Sequence, residues 1–451
     1  MELGLIAILI NVAVIIGAVL TKRCFELMVA GSLFAAILLY GTSFMTEWSG
    51  AIQSVFAENV WIVLVCALFG GLISLLQYSK GSYGFSKLVA KFCTTEKRTL
   101  LTTFVMGILI FIDDYLNVLS IGVCMKNVYD KRKLPREALA YMLDATGAPV
   151  CVLLPFSTWA VFYAGLFYEQ AGVAELGYGS GISTYIHAIP FSIYPIVTLI
   201  IVFLFAIGVF PKLGTMKKAY ERVAETGKLY SDISRKYNHE EYSGYEEEGN
   251  IWYFIIPMVI LVALTIITTD ILMAVFVTLI VCFVIYIPKK VIKLEDFFTV
   301  LVKGICDMLP ILTLLVVAFT FGKLTQEMQL TEYVIKVAEP LLSAKVFPMI
   351  TFILVAILTF CTGNLWGMSA IVAPIVFPLG VALNANLLLI MAAIISGGAF
   401  GSHACFYTDA TLMSSSSAGI DNLEHAVSQL PYVAIASVIS IVGFLILGIA
   451  L

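Results

Sequence analysis

Long apolar stretches separated by short polar interruptions run the whole length of the chain, and their lengths set the architecture. An apolar run of about 17–25 residues is long enough to cross a bilayer as a helix. Runs that meet or exceed this lie near 4–21, 24–41, 58–79, 136–166, 187–210, 251–270, 271–288, 304–323, 387–417 and 429–451. Two more apolar runs contain breaks: 99–125, around Asp113, Asp114 and Asn117, and 346–383, around Thr362, Gly363 and Asn364. Each of these is expected to enter the membrane and return to its own side as a re-entrant hairpin. The expected fold is an all-α polytopic membrane protein, with about ten transmembrane helices plus two re-entrant hairpins and broken helices. The opening run, MELGLIAILI, has no basic segment before it and is expected to be a retained helix rather than a cleaved signal.

The polar breaks carry the chemistry. In the stretch Ser396 to Gly419, SGGAFGSHACFYTDATLMSSSSAG, glycines weaken the helix, and His403 and Asp409 fall at lipid depth. Irregular backbone there is tolerated only where protein covers it or a wet cavity receives it. Each ionisable group costs about 2.5–3.5 kcal/mol on insertion scales. Ser402, His403, Thr408, Asp409 and Thr411 are therefore candidate ion or substrate ligands. In the first half, Asp144 opens a break made by Gly147, Pro149 and Pro155. Carbonyls freed near Asp144 and Thr146 offer oxygen-only ligation, which suits a hard cation. A Na+ site is expected at Asp144, Thr146 and Asp409. Asp114 and Asn117 share a helix face at the first hairpin tip, and Asn364 stands at the second. The structural alternatives are a cap for Asp144, a hydrogen-bonded core role for His403, packing for Trp366, and capping or surface charge for Asp421, Glu424 and His425.

Composition confirms the class without adding to the site. The chain is 61% hydrophobic and 12% charged, with a mean hydropathy of +1.00, where a soluble domain carries about 25% charged residues. Nine cysteines are scattered without a CxxC pair and read as reduced packing residues. With the N-terminus outside, 23 of the 26 Lys and Arg residues fall on cytoplasmic segments. This places both termini outside, in a cell membrane, and makes the hydrophilic segment 211–250 a cytoplasmic linker, solvated and partly helical. Weak matches recur at offsets of 250 to 252 residues: FGGL at Phe69 with FGKL at Phe321, Asp114 with Asn364, and Ser157-Thr158 with Thr408-Asp409. They imply two inverted repeats, 1–210 and 251–451, joined by the linker, with the site at the midplane. No HExxH, GxSxG or P-loop occurs, so neither an enzyme nor an ATP-driven pump is expected.

Four stretches carry a family resemblance: LDATGAP at Leu143 to Pro149, DDY at Asp113 to Tyr115, TGNLWG at Thr362 to Gly367, and GSHACFYTDATLMSSSSAG followed by QLPY at Gln429 to Tyr432. In order and over nearly the whole chain they resemble the NhaC-type Na+/H+ antiporters of the ion-transporter superfamily. The resemblance implies a secondary transporter exchanging Na+ and H+, and it maps Asp114, Asp144, His403, Asp409 and Thr411 onto polar motif positions. Departures occur where the family commonly reads GDH-x-SP-x-SDTT and TSWG. Here Ser402 replaces an aspartate, Cys405-Phe406 replaces Ser-Pro, Thr408 replaces serine, and NLWG stands at Asn364 to Gly367. One carboxylate is lost and an aromatic pair, Phe406 and Tyr407, is gained. The alternative expectation is therefore a Na+- or H+-coupled transporter or exchanger of a small organic solute, an amino acid or carboxylate. No cofactor is expected beyond the transported Na+ and H+. The expected partners are the bilayer, these ions, the solute of the alternative reading and a second copy of the chain as a homodimer, and no nucleic acid.

Overall fold

The computed structural model describes residues 2–21, 23–111, 113–155, 157–238, 249–268, 270–338 and 343–451. The described residues form helices and no strands. The first half runs α1 (Leu3–Thr21), α2 (Cys24–Tyr40), α3 (Phe44–Glu58), α4 (Val60–Tyr78), α5 (Gly81–Phe92), α6 (Glu96–Leu109), α7 (Asp114–Lys131), α8 (Arg136–Thr146), α9 (Ala148–Cys151), α10 (Thr158–Tyr168), α11 (Gly181–Ala188) and α12 (Ile193–Ala206). After α13 (Gly214–Thr226) come α14 (Trp252–Thr268), α15 (Ile271–Tyr286), α16 (Leu294–Glu327), α17 (Leu330–Ala338), α18 (Phe347–Thr362), α19 (Leu365–Ala382), α20 (Leu387–Ala404), α21 (Asp409–Ala418) and α22 (Asn422–Ala450).

Among the described residues, four helices are long and apolar enough to cross a membrane, or six if each of two bent pairs is one span. Five shorter apolar helices accompany them. The expectation of about ten crossings counted apolar runs that turns and caps divide into shorter pieces. The breaks themselves fall where the sequence puts them, and local chemistry explains why. Asp113 Oδ1 accepts from the backbone N–H of Tyr115 at 3.0 Å and Leu116 at 3.1 Å, which starts α7. Gly363, at φ +66°, ends α18 in a left-handed turn, and Asn364 Oδ1 then accepts from Gly367 N at 2.9 Å to start α19. Ser157 caps α10 and Thr408 caps α21 in the same way.

The core is formed by the broken helices. α18 packs on α20, α4 on α16, α12 on α22, and α21 lies against both α7 and α8. The α7–α21 approach depends on a missing side chain, since a Cβ added to Gly122 would lie 2.4 Å from Ser417 Cβ. Gly122→Ala is therefore expected to lower stability by about 1–3 kcal/mol through overpacking. Adding Ser417→Gly should recover much of that loss. Thermal melting of the purified variants checks this, and a Gly122→Ala protein that melts with the wild type would remove the contact from the core.

The solvated-linker expectation gives way over the described part of 211–250. α13 buries Met216, Ala219 and Val223. Arg222 forks onto the carboxylate of buried Glu137 at 2.8 and 2.9 Å. The Ser234 hydroxyl donates to Glu424 at 2.5 Å and accepts from Asp421 N at 2.7 Å. Asn238 Nδ2 donates to Gly419 O at 2.7 Å. The hydrophilic residues of this stretch thus pair with polar groups of α8 and α22 and of the α21–α22 turn. The run Glu241 to Glu248, read as ordinary surface, lies outside the described residues.

Candidate functional site

Asp144 sits in the last turn of α8, three residues before the break at Gly147, and is buried. Its Oδ2 lies 2.8 Å from His425 Nε2 and accepts from Gln429 Nε2 at 2.8 Å, both from α22. Thr411 Oγ1, from α21, approaches it at 3.3 Å. Among the described residues, Asp144 Oδ1 has no hydrogen-bond partner. Gln429 also donates to His403 O at 2.6 Å, and Thr408 Oγ1 donates to Ser402 O at 2.6 Å, so the buried terminal carbonyls of α20 are tied into the same cluster. A buried carboxylate is tolerated when charge-assisted hydrogen bonds surround it, and here they come from two helices of the other half of the chain.

A second group lies beside it. Asp409 heads α21 and accepts from the Tyr115 hydroxyl at 2.5 Å. It lies within electrostatic range of Asp113, Asp114 and Asp144. Asp409 also lines a cavity of about 120 Å3, together with Glu58, Trp61, Tyr115, Asn364 and Trp366. Glu58 is tied to Ser54 at 2.6 Å and Lys323 at 3.2 Å. Among the described residues, no basic side chain forms an ion pair with Asp113, Asp114 or Asp409. Asp114 is buried and its Oδ1 lacks a partner.

The structure therefore brings Asp144, Thr411, Thr408, Ser402 and His403 into one polar cluster, and Asp409 and Asn364 onto one cavity. Other expected ligands serve different contacts. Thr146 is two residues from Asp144 and, at helical spacing, points away from it. Its hydroxyl donates to Met142 O at 2.7 Å, and its side chain packs against Gly107 of α6. The Thr146 hydroxyl is therefore not beside the Asp144 carboxylate. Asn117 Nδ2 donates to Gly107 O at 2.7 Å and Ile110 O at 2.8 Å, so it clamps α7 to α6 across the break between them. His403 Nδ1 faces the Tyr194 hydroxyl at 2.9 Å, while its Nε2 has no partner. The imidazole that meets the carboxylate is His425, which had been read as part of a surface turn and is fully buried. Gln429 was not assigned at all. The signal for both is a polar stripe on α22 at helical spacing, His425, Gln429 and Tyr432, on an otherwise apolar helix. Tyr407 of the departing aromatic pair donates to Cys361 O at 2.8 Å and clasps the second hairpin.

Comparison with known proteins follows the same lines. The sequence profile of the Na+/H+ antiporter family matches residues 167–449. An uncharacterized protein of Haemophilus influenzae is 24% identical over 96% of this chain and 89% of its own length. An uncharacterized Na(+)/H(+) antiporter of the same species is 34% identical over 19% of this chain and 18% of its own. Among solved structures, Neisseria gonorrhoeae MtrF, described with a class of antimetabolite efflux pumps, is 15% identical and covers 90% of this chain and 85% of its own. Its TM-score of 0.34 is too low to carry a structural argument.

Proposed function

This chain belongs to the Na+/H+ antiporter family, whose profile covers more than half of it, and we propose that it is a secondary active transporter exchanging Na+ and H+ by alternating access. The observation that carries this reading is Asp144. It stands at a helix break of the first half and is held by His425, Gln429 and Thr411 of the second. A carboxylate holds either Na+ or a proton with the same negative charge, so the two compete. That competition is sufficient for exchange. His425 Nε2 lies 2.8 Å from the same carboxylate oxygen. The ligands of the site are Asp144, Ser402, His403, Thr408 and Thr411, with Asp114, Asp409 and Asn364 on the approach from the cavity. Asn117 and Thr146 position the helices around them.

Alternating access comes from two inverted repeats, 1–210 and 251–451, with 211–250 on the cytoplasmic side of a plasma membrane and both termini outside. Equivalent hydrogen bonds support this. Ser157 Oγ donates to Cys151 O at 2.5 Å, and Thr408 Oγ1 donates to Ser402 O at 2.6 Å, each spanning six residues and lying 251 apart. The reciprocal packing of α1 on α17 and α5 on α14 supports it as well.

A second reading, transport of a small organic solute coupled to Na+ or H+, is favoured by the cavity. Its volume of about 120 Å3 is several times the roughly 30 Å3 share of one water molecule. Purified protein in liposomes, loaded with a pH-sensitive dye, distinguishes the readings. A Na+ gradient is expected to drive an internal pH change absent from empty liposomes. Folded protein that gives none, but takes up a labelled solute from a panel, would replace Na+/H+ exchange with the second reading.

A further inference from the structure

We propose that the cavity beside Asp409 is a recognition site for a small organic ammonium cation. The inference rests on the transporter reading above and names a substrate class for it. Three features converge. The first is size: about 120 Å3 is somewhat below the roughly 150 Å3 of an engineered cavity that holds benzene, so the occupant has about five non-hydrogen atoms. The second is the wall. The Trp61 and Tyr115 rings meet at 5.9 Å and 57°, forming an aromatic corner. Opposite α4 and α7, Trp366 is braced by Trp159 at 4.8 Å and Phe162 at 4.7 Å, so its indole is held in place. Aromatic faces carry partial negative charge and attract alkylammonium groups, whose charge is spread over methyl or methylene carbons.

The third feature is charge. The Asp409 carboxylate faces the cavity with the Tyr115 hydroxyl as its side-chain donor. Glu58, on the rim, is already engaged by Lys323. An anionic occupant would meet two carboxylates, Asp409 and Glu58. A neutral one would leave Asp409 uncompensated. A bare Na+ would use the carboxylate but little of the aromatic wall. An organic ammonium uses both.

The test is binding of labelled tetramethylammonium to the purified full-length protein, with tert-butanol as an uncharged competitor of similar bulk. Saturable binding that Na+ displaces and the alcohol does not is expected. Asp409→Asn should weaken it at least about tenfold through loss of the charge, and Trp366→Leu by about twofold to thirtyfold, the range of cation–π contacts. Trp366→Phe should retain most of the affinity. Wild-type protein that drives Na+-dependent pH change yet binds no tetramethylammonium would overturn this inference alone. Displacement by the alcohol as readily as by Na+ would also overturn it, and needs no variant to fold. Binding without any ion or solute movement in liposomes would uphold the site and overturn the transporter reading instead.

Discussion

Asp144→Asn is expected to reduce Na+-driven pH change in liposomes to the level of empty vesicles while the protein still purifies as a single folded species. Asparagine keeps the shape of the side chain and one carbonyl oxygen. That oxygen can take the place of Oδ2 and accept from Gln429 and His425, both at 2.8 Å in the wild type. What is lost is the negative charge that balances Na+ or a proton. The cost in stability is the difference between charged and neutral hydrogen bonds, about 1–2 kcal/mol. Were Asp144 only a helix cap or a core hydrogen-bond acceptor, asparagine would serve nearly as well and transport would persist. The measurement is transport against Na+ concentration for both proteins in matched liposomes. An unchanged Na+ dependence would remove Asp144 from the site and move it to Asp114 and Asp409.

The fold was legible where the backbone chemistry is local. Asp113, Ser157, Asn364 and Thr408 are residues that cap helices, and the helices start beside them. Gly147 and Gly363 sit at breaks that an apolar run alone could not make. The site was legible in its first-half member, because a carboxylate in LDATGAP has no surface to reach. Its partners were not. His425 and Gln429 are 281 and 285 residues away, and only their shared face on α22 marks them. Thr146 shows why motif neighbours need not share a face: two positions apart on a helix means opposite sides. The linker was misread because its residues are hydrophilic whether they meet water or the buried carboxylate of Glu137. Sequence composition does not distinguish those two fates.

Arg136→Ala is expected to lower the thermal stability of the purified protein by about 3–5 kcal/mol, the cost of breaking a buried ion pair from one side. Arg136 opens α8, the helix that ends near Asp144. Its Nε lies 2.9 Å from Asp130 Oδ1 and its Nη2 2.8 Å from Asp130 Oδ2, a bidentate fork with side-chain exposures of 8% and 3%. Its remaining nitrogen donates to Asn238, its backbone N–H donates to Leu229 O at 3.0 Å, and its guanidinium lies 4.9 Å from the centre of the Tyr230 ring. One side chain therefore joins α7, α8 and the segment after α13. Alanine removes the fork from a carboxylate that stays buried, and it takes from Asn238 the one donor to its Oδ1, leaving its Nδ2 bonds to Ser234 O and Gly419 O. Protease cleavage within 227–238 should rise along with the loss in melting temperature. Replacing both partners, Asp130→Asn with Arg136→Met, should recover much of the stability, because the penalty lies in a buried carboxylate deprived of its bidentate donor rather than in the lost attraction. The protease sensitivity should remain, since methionine cannot hold Asn238. An Arg136→Ala protein as stable as the wild type would mean that Asp130 finds water or another donor there, and that the segment after α13 does not depend on this residue.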